Sequence, residues 1–128
     1  PNAKLLHPKD IGTSISKPGD FDMVYEVEEG EIIIVEAKGG SSPLGTRKIG
    51  NMAYQQGTTE YTAEITNLMS EKKEGTTEKI AARKIQHAAS FGIPIRYIHT
   101  QANIPESGNV TDVRVEVAEF KINSKGLI

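Results

Sequence analysis

The run Ile32-Ile33-Ile34-Val35, set between Gly30 and Gly39, is the strongest constraint in the chain. Four consecutive β-branched aliphatic residues lose side-chain freedom in a helix and pack well on a pleated surface, so residues 31–38 read as a strand covered on both faces. Residues 21–27 just upstream alternate, with Phe21, Met23, Tyr25 and Val27 on one side and Asp22, Val24 and Glu26 on the other. Between the two lies Glu28-Glu29-Gly30, and three residues ending in Gly suit a hairpin loop in which a type I turn is closed by a left-handed residue. With 28–30 as the loop, Val27 faces Glu31, Asp22 faces Glu36 and Asp20 faces Lys38. Directly opposed residues of an antiparallel pair share a face. One face then carries Phe21, Met23, Tyr25, Val27, Ile33, Val35 and Ala37. The other carries Asp20, Asp22, Val24, Glu26, Ile32, Ile34, Glu36 and Lys38. A slip of one residue would move Asp22 onto the apolar face of its neighbour, so the register is strongly specified.

The remaining pattern is read around this hairpin. Residues 1–18 hold Pro8, Gly12 and Pro18 with little periodicity and read as an arm leading into a core of 19–128. Residues 39–50 read as a Gly-rich loop. Residues 51–69 read as a helix with a stripe of Tyr61, Ile65, Leu68 and Met69. Gly57 interrupts it and is expected to let the helix approach the sheet closely. A second helix is expected from Thr76, as N-cap, to Phe91, with Gly92 and Pro94 as stop signals and a stripe of Ala81, Ile85, Ala88 and Ala89. Residues 95–100 and 110–122 read as strands, the latter alternating through Val113, Val115 and Val117. The order of hairpin, two helices and two strands gives an α/β (α+β) domain, a mixed β-sheet with flanking helices.

At 128 residues the chain is one domain, large enough to bury a core without staples. It has no Cys, which excludes disulfides, thiolate zinc sites and a Cys nucleophile. No apolar run reaches the ~18 residues of a membrane-spanning helix. The net charge of −2 argues against a protein that coats nucleic acid by bulk electrostatics. That average conceals an uneven distribution. Residues 21–38 hold six acids and one base, whereas residues 39–128 hold eleven bases and nine acids. Acid is concentrated on the hairpin and the remainder is mildly basic.

The hairpin register gathers Asp22 and Glu36 about 5 Å apart across the strands. Two carboxylates that close repel unless a cation lies between them, and hard oxygen ligands suit Mg²⁺, with Mn²⁺ or Zn²⁺ also compatible. A metal held by Asp22, Glu36 and a main-chain carbonyl such as that of Ala37 lowers the pKa of bound water and stabilises charge on a phosphate. Lys38, on the same face, can orient the water or neutralise the developing charge. As a string, Glu-x-Lys is weak, because Glu71-x-Lys73 and Glu119-x-Lys121 share it. The first copy stands apart because it ends an apolar strand, faces an Asp and opens into a Gly-rich loop. Arg47 and Lys48 in that loop, with Gln55, are candidates for holding substrate phosphate. Lys72, Lys73, Lys79, Arg83 and Lys84 give the second helix a positive excess that reads either as a phosphate track or as a solvated face. His7, His87 and His99 show no metal-ligand spacing and read as structural.

Gly19-Asp20-Phe21-Asp22, Ile34-Val35-Glu36-Ala37-Lys38-Gly39-Gly40, Ser42-Pro43-Leu44-Gly45-Thr46-Arg47 and Tyr54-Gln55-Gln56-Gly57-Thr58-Thr59-Glu60-Tyr61 together resemble the PD-(D/E)XK nuclease domains at the C-terminal ends of bacterial polymorphic toxins, including contact-dependent growth inhibition toxins. The resemblance covers residues 19–69, half the chain. It implies a restriction-endonuclease-like core and hydrolysis of phosphodiester bonds in DNA or tRNA. It places the metal on Asp22 and Glu36, with Lys38 assisting and Gln56 supporting from the following helix; Asp20, on the same face, stays open as the alternative to Asp22, which the register favours by setting it directly opposite Glu36. It further implies delivery into a neighbouring bacterium's cytoplasm as part of a larger secreted carrier, and a cognate immunity protein that is acidic or plugs the Asp22, Glu36, Lys38 cleft. A first residue of Pro rather than Met fits excision from such a carrier. The resemblance also calls for an acidic residue from an upstream helix, for which the arm offers only Asp10. Two alternatives stand beside it: a non-catalytic binding or immunity module with an acidic hairpin, and a metal-independent ribonuclease using His and Lys.

Overall fold

The computed structural model describes residues 3–9, 20–39, 46–49, 52–55, 57–103 and 114–127, with backbone alone at 38–39, 46–49, 52–55, 101–103, 114–116, 121 and 124. A five-stranded mixed sheet is ordered β1 (Lys4–His7), β2 (Met23–Glu26), β3 (Ile32–Gly39), β6 (Ile95–Asn103) and β7 (Arg114–Lys121). β2 and β7 run opposite to β1, β3 and β6, so β3 and β6 form the parallel pair at the centre. Helices α1 (Thr59–Ser70) and α2 (Thr77–Ser90) lie in the long connection between those two strands, as a parallel crossover requires. The expected α+β class holds: a mixed sheet with helices packed on it.

The hairpin register is the expected one, with Met23 opposite Val35 and Glu26 opposite Ile32. Its loop carries two left-handed residues rather than one, Glu29 at φ 66° and Gly30 at φ 81°, and the Val27 amide donates to the Glu31 carbonyl at 2.9 Å. β3 is fully covered on one face only, not on both. Val24, Ile32, Ile34 and Glu36 are buried beneath the helices, while Met23, Tyr25, Ile33 and Val35 are half-buried and Ala37 is exposed. The carboxylate-bearing face is therefore the core face. Phe21 also departs from simple alternation. β2 begins only at Met23, and Phe21 turns inward to meet the rings of Tyr61 and Tyr97 edge-on, each at 6.3 Å.

The first residues are not an arm. Lys4–His7 is an edge strand hydrogen-bonded to β2, and Leu6 enters the core. The expected helix over 51–69 is also shorter. Met52–Gln55 is a strand, β5, paired with β4 (Thr46–Ile49) in a separate two-stranded sheet, and α1 starts at Thr59 behind its cap Thr58. The signal lay in the sequence: Ile49 pairs with Met52, leaving Gly50-Asn51 between them, a dipeptide favoured in two-residue hairpin links. The expected loop over 39–50 thus contains strand at 46–49.

α1 buries Tyr61, Ile65 and Met69, three of the four expected positions, with Leu68 half-buried. Its buried Thr62 and Thr66 donate to the carbonyls of Thr58 and Thr62 at 2.9 and 2.7 Å, so their hydroxyls are satisfied within the helix. α2 begins behind Thr76 and buries Ala81, Ala82, Ile85, Ala88 and Ala89, small side chains that let it sit close to α1 and the sheet. Residues 114–121 of the expected last strand are strand, and residues 110–113 lie outside the described residues. Among the described residues no helix is long and apolar enough to cross a membrane.

Candidate functional site

Glu36 lies near the carboxyl end of β3, and the parallel register sets it beside His99 of β6. Ile32, Ile34 and Glu36 alternate onto the buried face of one strand, as Ile95, Tyr97 and His99 do on the other. The sequence thus drives a carboxyl group into the core by strand periodicity: once Ile32 and Ile34 are buried, Glu36 follows. It is 3% exposed and Asp22 is half-buried.

Asp22 reaches the site from the bend before β2. Its Oδ2 accepts a hydrogen bond from the Ala37 amide at 2.9 Å, taking over where the β2–β3 ladder ends at Met23 and Val35. In a strand the N–H and C=O of one residue point to the same side. The Ala37 carbonyl therefore lies on the same edge of β3 as Asp22. Two carboxyl groups meet at the end of the sheet, with one main-chain oxygen on the same strand edge.

The electrostatics follow from this placement. Burial, reinforced by the Asp22 charge and by a hydrogen bond between the two carboxyl groups, pushes the Glu36 carboxyl up from 4.5 to about 8. The Asp22 backbone amide and the Tyr97 hydroxyl pull the other way, more weakly. Tyr61 donates a long hydrogen bond of 3.5 Å to Glu36 Oε1 from α1. The Tyr97 hydroxyl is fully buried beside the same carboxyl without completing a hydrogen bond of normal geometry. Its own pKa is raised by burial and by the Glu36 charge, so it stays neutral.

Asp20 and Asp22 differ in their partners. Asp20 is 5% exposed and faces His7, with Oδ2 at 3.7 Å from Nε2, whereas Asp22 faces Glu36. Lys38 holds the expected position two residues beyond Glu36, with its backbone opposite Gln101 and its side chain outside the described residues. Arg47, Lys48 and Gln55 have backbones in β4 and β5, so Gln55 is a strand residue rather than a helical one. Gln56, Asp10 and the segment 40–45 lie outside the described residues, and Gln56 precedes α1 rather than belonging to it. Three of the five cations around α2 have acidic partners: Lys79 and Arg83 share Glu74, and Lys84 pairs with Glu26 of β2.

The residues that sequence reasoning missed are Tyr61, Tyr97 and His99, which surround Glu36, and His7, which faces Asp20. The alternation Ile95-x-Tyr97-x-His99 announces one shared face, but nothing local says that this face meets Glu36.

Among the described residues no three His, Cys, Asp or Glu side chains form a cluster able to hold a metal. The donor set on offer is Asp22, Glu36 and the Ala37 carbonyl, all hard oxygens of the kind that Mg²⁺ and Mn²⁺ prefer. The raised Glu36 pKa follows from burial beside a second carboxyl group, and a cation bound between the two would favour their ionised forms. Comparison with protein-family models, curated proteins and solved structures finds no match to this chain.

Proposed function

We propose that this domain is a metal-dependent endonuclease of the PD-(D/E)XK kind, hydrolysing phosphodiester bonds of DNA or tRNA. The observation that carries the proposal is the Asp22–Glu36 pair, two carboxyl groups brought together at the end of the sheet with Glu36 buried and protonated to about pH 8. Asp22, Glu36 and the Ala37 carbonyl would hold the cation, Mg²⁺ first and Mn²⁺ or Zn²⁺ as substitutes. When bound, it supplies an activated water at neutral pH and stabilisation of phosphate charge. The chain's own residues do the positioning. The Ala37 amide orients Asp22, and Tyr61 holds Glu36 from the helix side. Ala37 is exposed and Asp22 half-buried, which puts the pair at the edge of the core rather than deep within it. Lys38 is assigned the proton and charge work on the attacking water. Arg47, Lys48, Gln55 and Gln56 are assigned to the substrate.

An acidic hairpin that mimics nucleic acid would have to display its carboxylates, and a Glu36 that is 3% exposed is poorly suited to that role. The sequence resemblance extends the proposal to a toxin domain delivered from a larger carrier into a neighbouring bacterium's cytoplasm and neutralised by a cognate immunity protein. Digestion of plasmid and total tRNA with Mg²⁺, Mn²⁺ and Zn²⁺ tested separately is the deciding experiment. Cutting that needs a divalent ion and is lost in Glu36→Gln and Lys38→Ala is expected. Undiminished cutting in those variants would sink the assignment, and cutting that persists in EDTA would favour a metal-independent ribonuclease.

A further inference from the structure

His7 and Asp20 stand outside the catalytic assignments, yet they form one of the most buried polar pairs in the domain, at 7% and 5% exposed. The way His7 enters is specific. β1 pairs regularly through Lys4 opposite Glu26 and Leu5 opposite Tyr25, then shifts so that His7 lies opposite Val24. This irregularity lets two successive residues, Leu6 and His7, both turn into the core, which plain alternation forbids. Once inside, His7 Nδ1 lies 2.8 Å from Thr77 Oγ1 at the start of α2 and 3.8 Å from Glu78 Oε1. Thr77 Oγ1 also lies 3.3 Å from Glu78 Oε1, and the tautomer in which Nδ1 accepts from Thr77 leaves Nε2–H toward Asp20. Nε2 then faces the Asp20 carboxylate at 3.7 Å.

The imidazole thus bridges the first turn of α2 and the bend that presents Asp22. Two anchors precede Asp22 in sequence: Asp20 held by His7, and Phe21 held edge-on between Tyr61 and Tyr97. Together they leave the Asp22 side chain directed at the Ala37 amide and Glu36.

We infer that His7 is a positioning residue for the Asp22–Glu36 site, acting through Asp20, and that the bulged N-terminal strand belongs to the framework of the site. The inference deepens the cation-site proposal and rests on it for its catalytic meaning, but its structural claim can be tested without metal. The probe is the Ala37 amide, whose hydrogen bond to Asp22 reports directly on where that carboxylate sits. In the metal-free chain, His7→Leu and Asp20→Asn are expected to speed Ala37 amide exchange at least tenfold while Ile34 and Tyr97 in the core strands keep wild-type rates. The double variant is expected to add nothing to either single change, and His7→Gln, which keeps a donor toward Asp20, to restore Ala37 to within about threefold. Mn²⁺ affinity measured by calorimetry is expected to weaken roughly 10- to 100-fold in the two single variants, the range typical of residues that orient a metal ligand. Should His7→Leu fail to fold, Asp20→Asn carries the same comparison, since it keeps the shape of the side chain. Ala37 exchange that is unchanged, or that accelerates only in step with every other amide, would overturn the inference and leave His7 a plain packing residue. If Ala37 responds as expected but the wild-type chain takes up no Mn²⁺, the positioning role stands and the cation-site proposal falls.

Discussion

Replacing Glu36 by Gln should stabilise the metal-free protein, and increasingly so as the pH rises. The folded Glu36 carboxyl titrates near 8 against 4.5 as its ordinary value, with burial the largest cause and the Asp22 charge the next. A folded state that holds the proton more tightly than the unfolded state is stabilised by acid. The full contribution is present below about pH 4.5 and is lost as the pH climbs through 8. Integrated over that window, a shift of this size removes about 3 kcal/mol by pH 7 and about 5 kcal/mol above pH 9. Gln has the shape and neutrality of the protonated acid and titrates nowhere in the range. At pH 5 the two proteins should therefore unfold within about 1 kcal/mol of each other. At pH 8.5 the variant should be ahead by several kcal/mol, a melting-temperature gap of roughly 10–20 °C for a domain of this size. Urea unfolding at half-unit pH steps in EDTA measures the difference. A wild-type-minus-variant gap that stays flat from pH 5 to 8.5 would refute the placement of Glu36 as a buried acid beside Asp22. So would a variant less stable than wild type at pH 8.5.

Three further outcomes follow from single contacts. Gly57 sits at φ 87° with an added Cβ falling 3.0 Å from the Phe120 ring, so Gly57→Ala should cost about 2–3 kcal/mol in urea unfolding, and a loss below about 0.5 kcal/mol would contradict the close approach. The Thr76 hydroxyl accepts from the Lys79 amide at 3.2 Å and caps α2; Thr76→Ala should lose about 1 kcal/mol and Thr76→Asp should recover it, as read from melting curves. Because Glu36 must release its proton to bind a cation, apparent Mn²⁺ affinity should weaken about tenfold for each pH unit below 8, and a pH-independent dissociation constant by calorimetry would remove Glu36 from the ligand set.

The parts of the fold legible in the sequence are those set by neighbours along the chain. The hairpin register followed from a three-residue link and a period of two, and α2 from its Thr76 cap and alanine stripe. Two elements were hidden for identifiable reasons. Lys4–His7 carries too few residues for a period to show, and its bulge breaks the alternation that would have marked it. Met52–Gln55 was absorbed into the helical stripe that begins at Tyr61, because apolar residues spaced by chance extended the pattern backward past Gly57, which in fact marks a left-handed residue ahead of the helix.

The burial of one hairpin face over the other has a more general cause. Hydrophobicity ranks Met23, Tyr25, Ile33 and Val35 as the face to bury, and counting apolar side chains favours it over a face holding four carboxylates. Coverage is decided instead by what the crossover brings back. α1 and α2 return over the side of β3 that β6 continues with Ile95 and Tyr97, and Ile32, Ile34 and Val24 complete that surface at essentially zero exposure. The helices therefore close over the strand face whose last residues are polar, and the apolar interior gives way to Glu36, His99 and Tyr97 at the end of the sheet. A carboxyl group in that position costs stability while it stays ionised and unpaired. A buried carboxyl raised by a second carboxyl beside it is the physical argument for proposing a site at the end of β3.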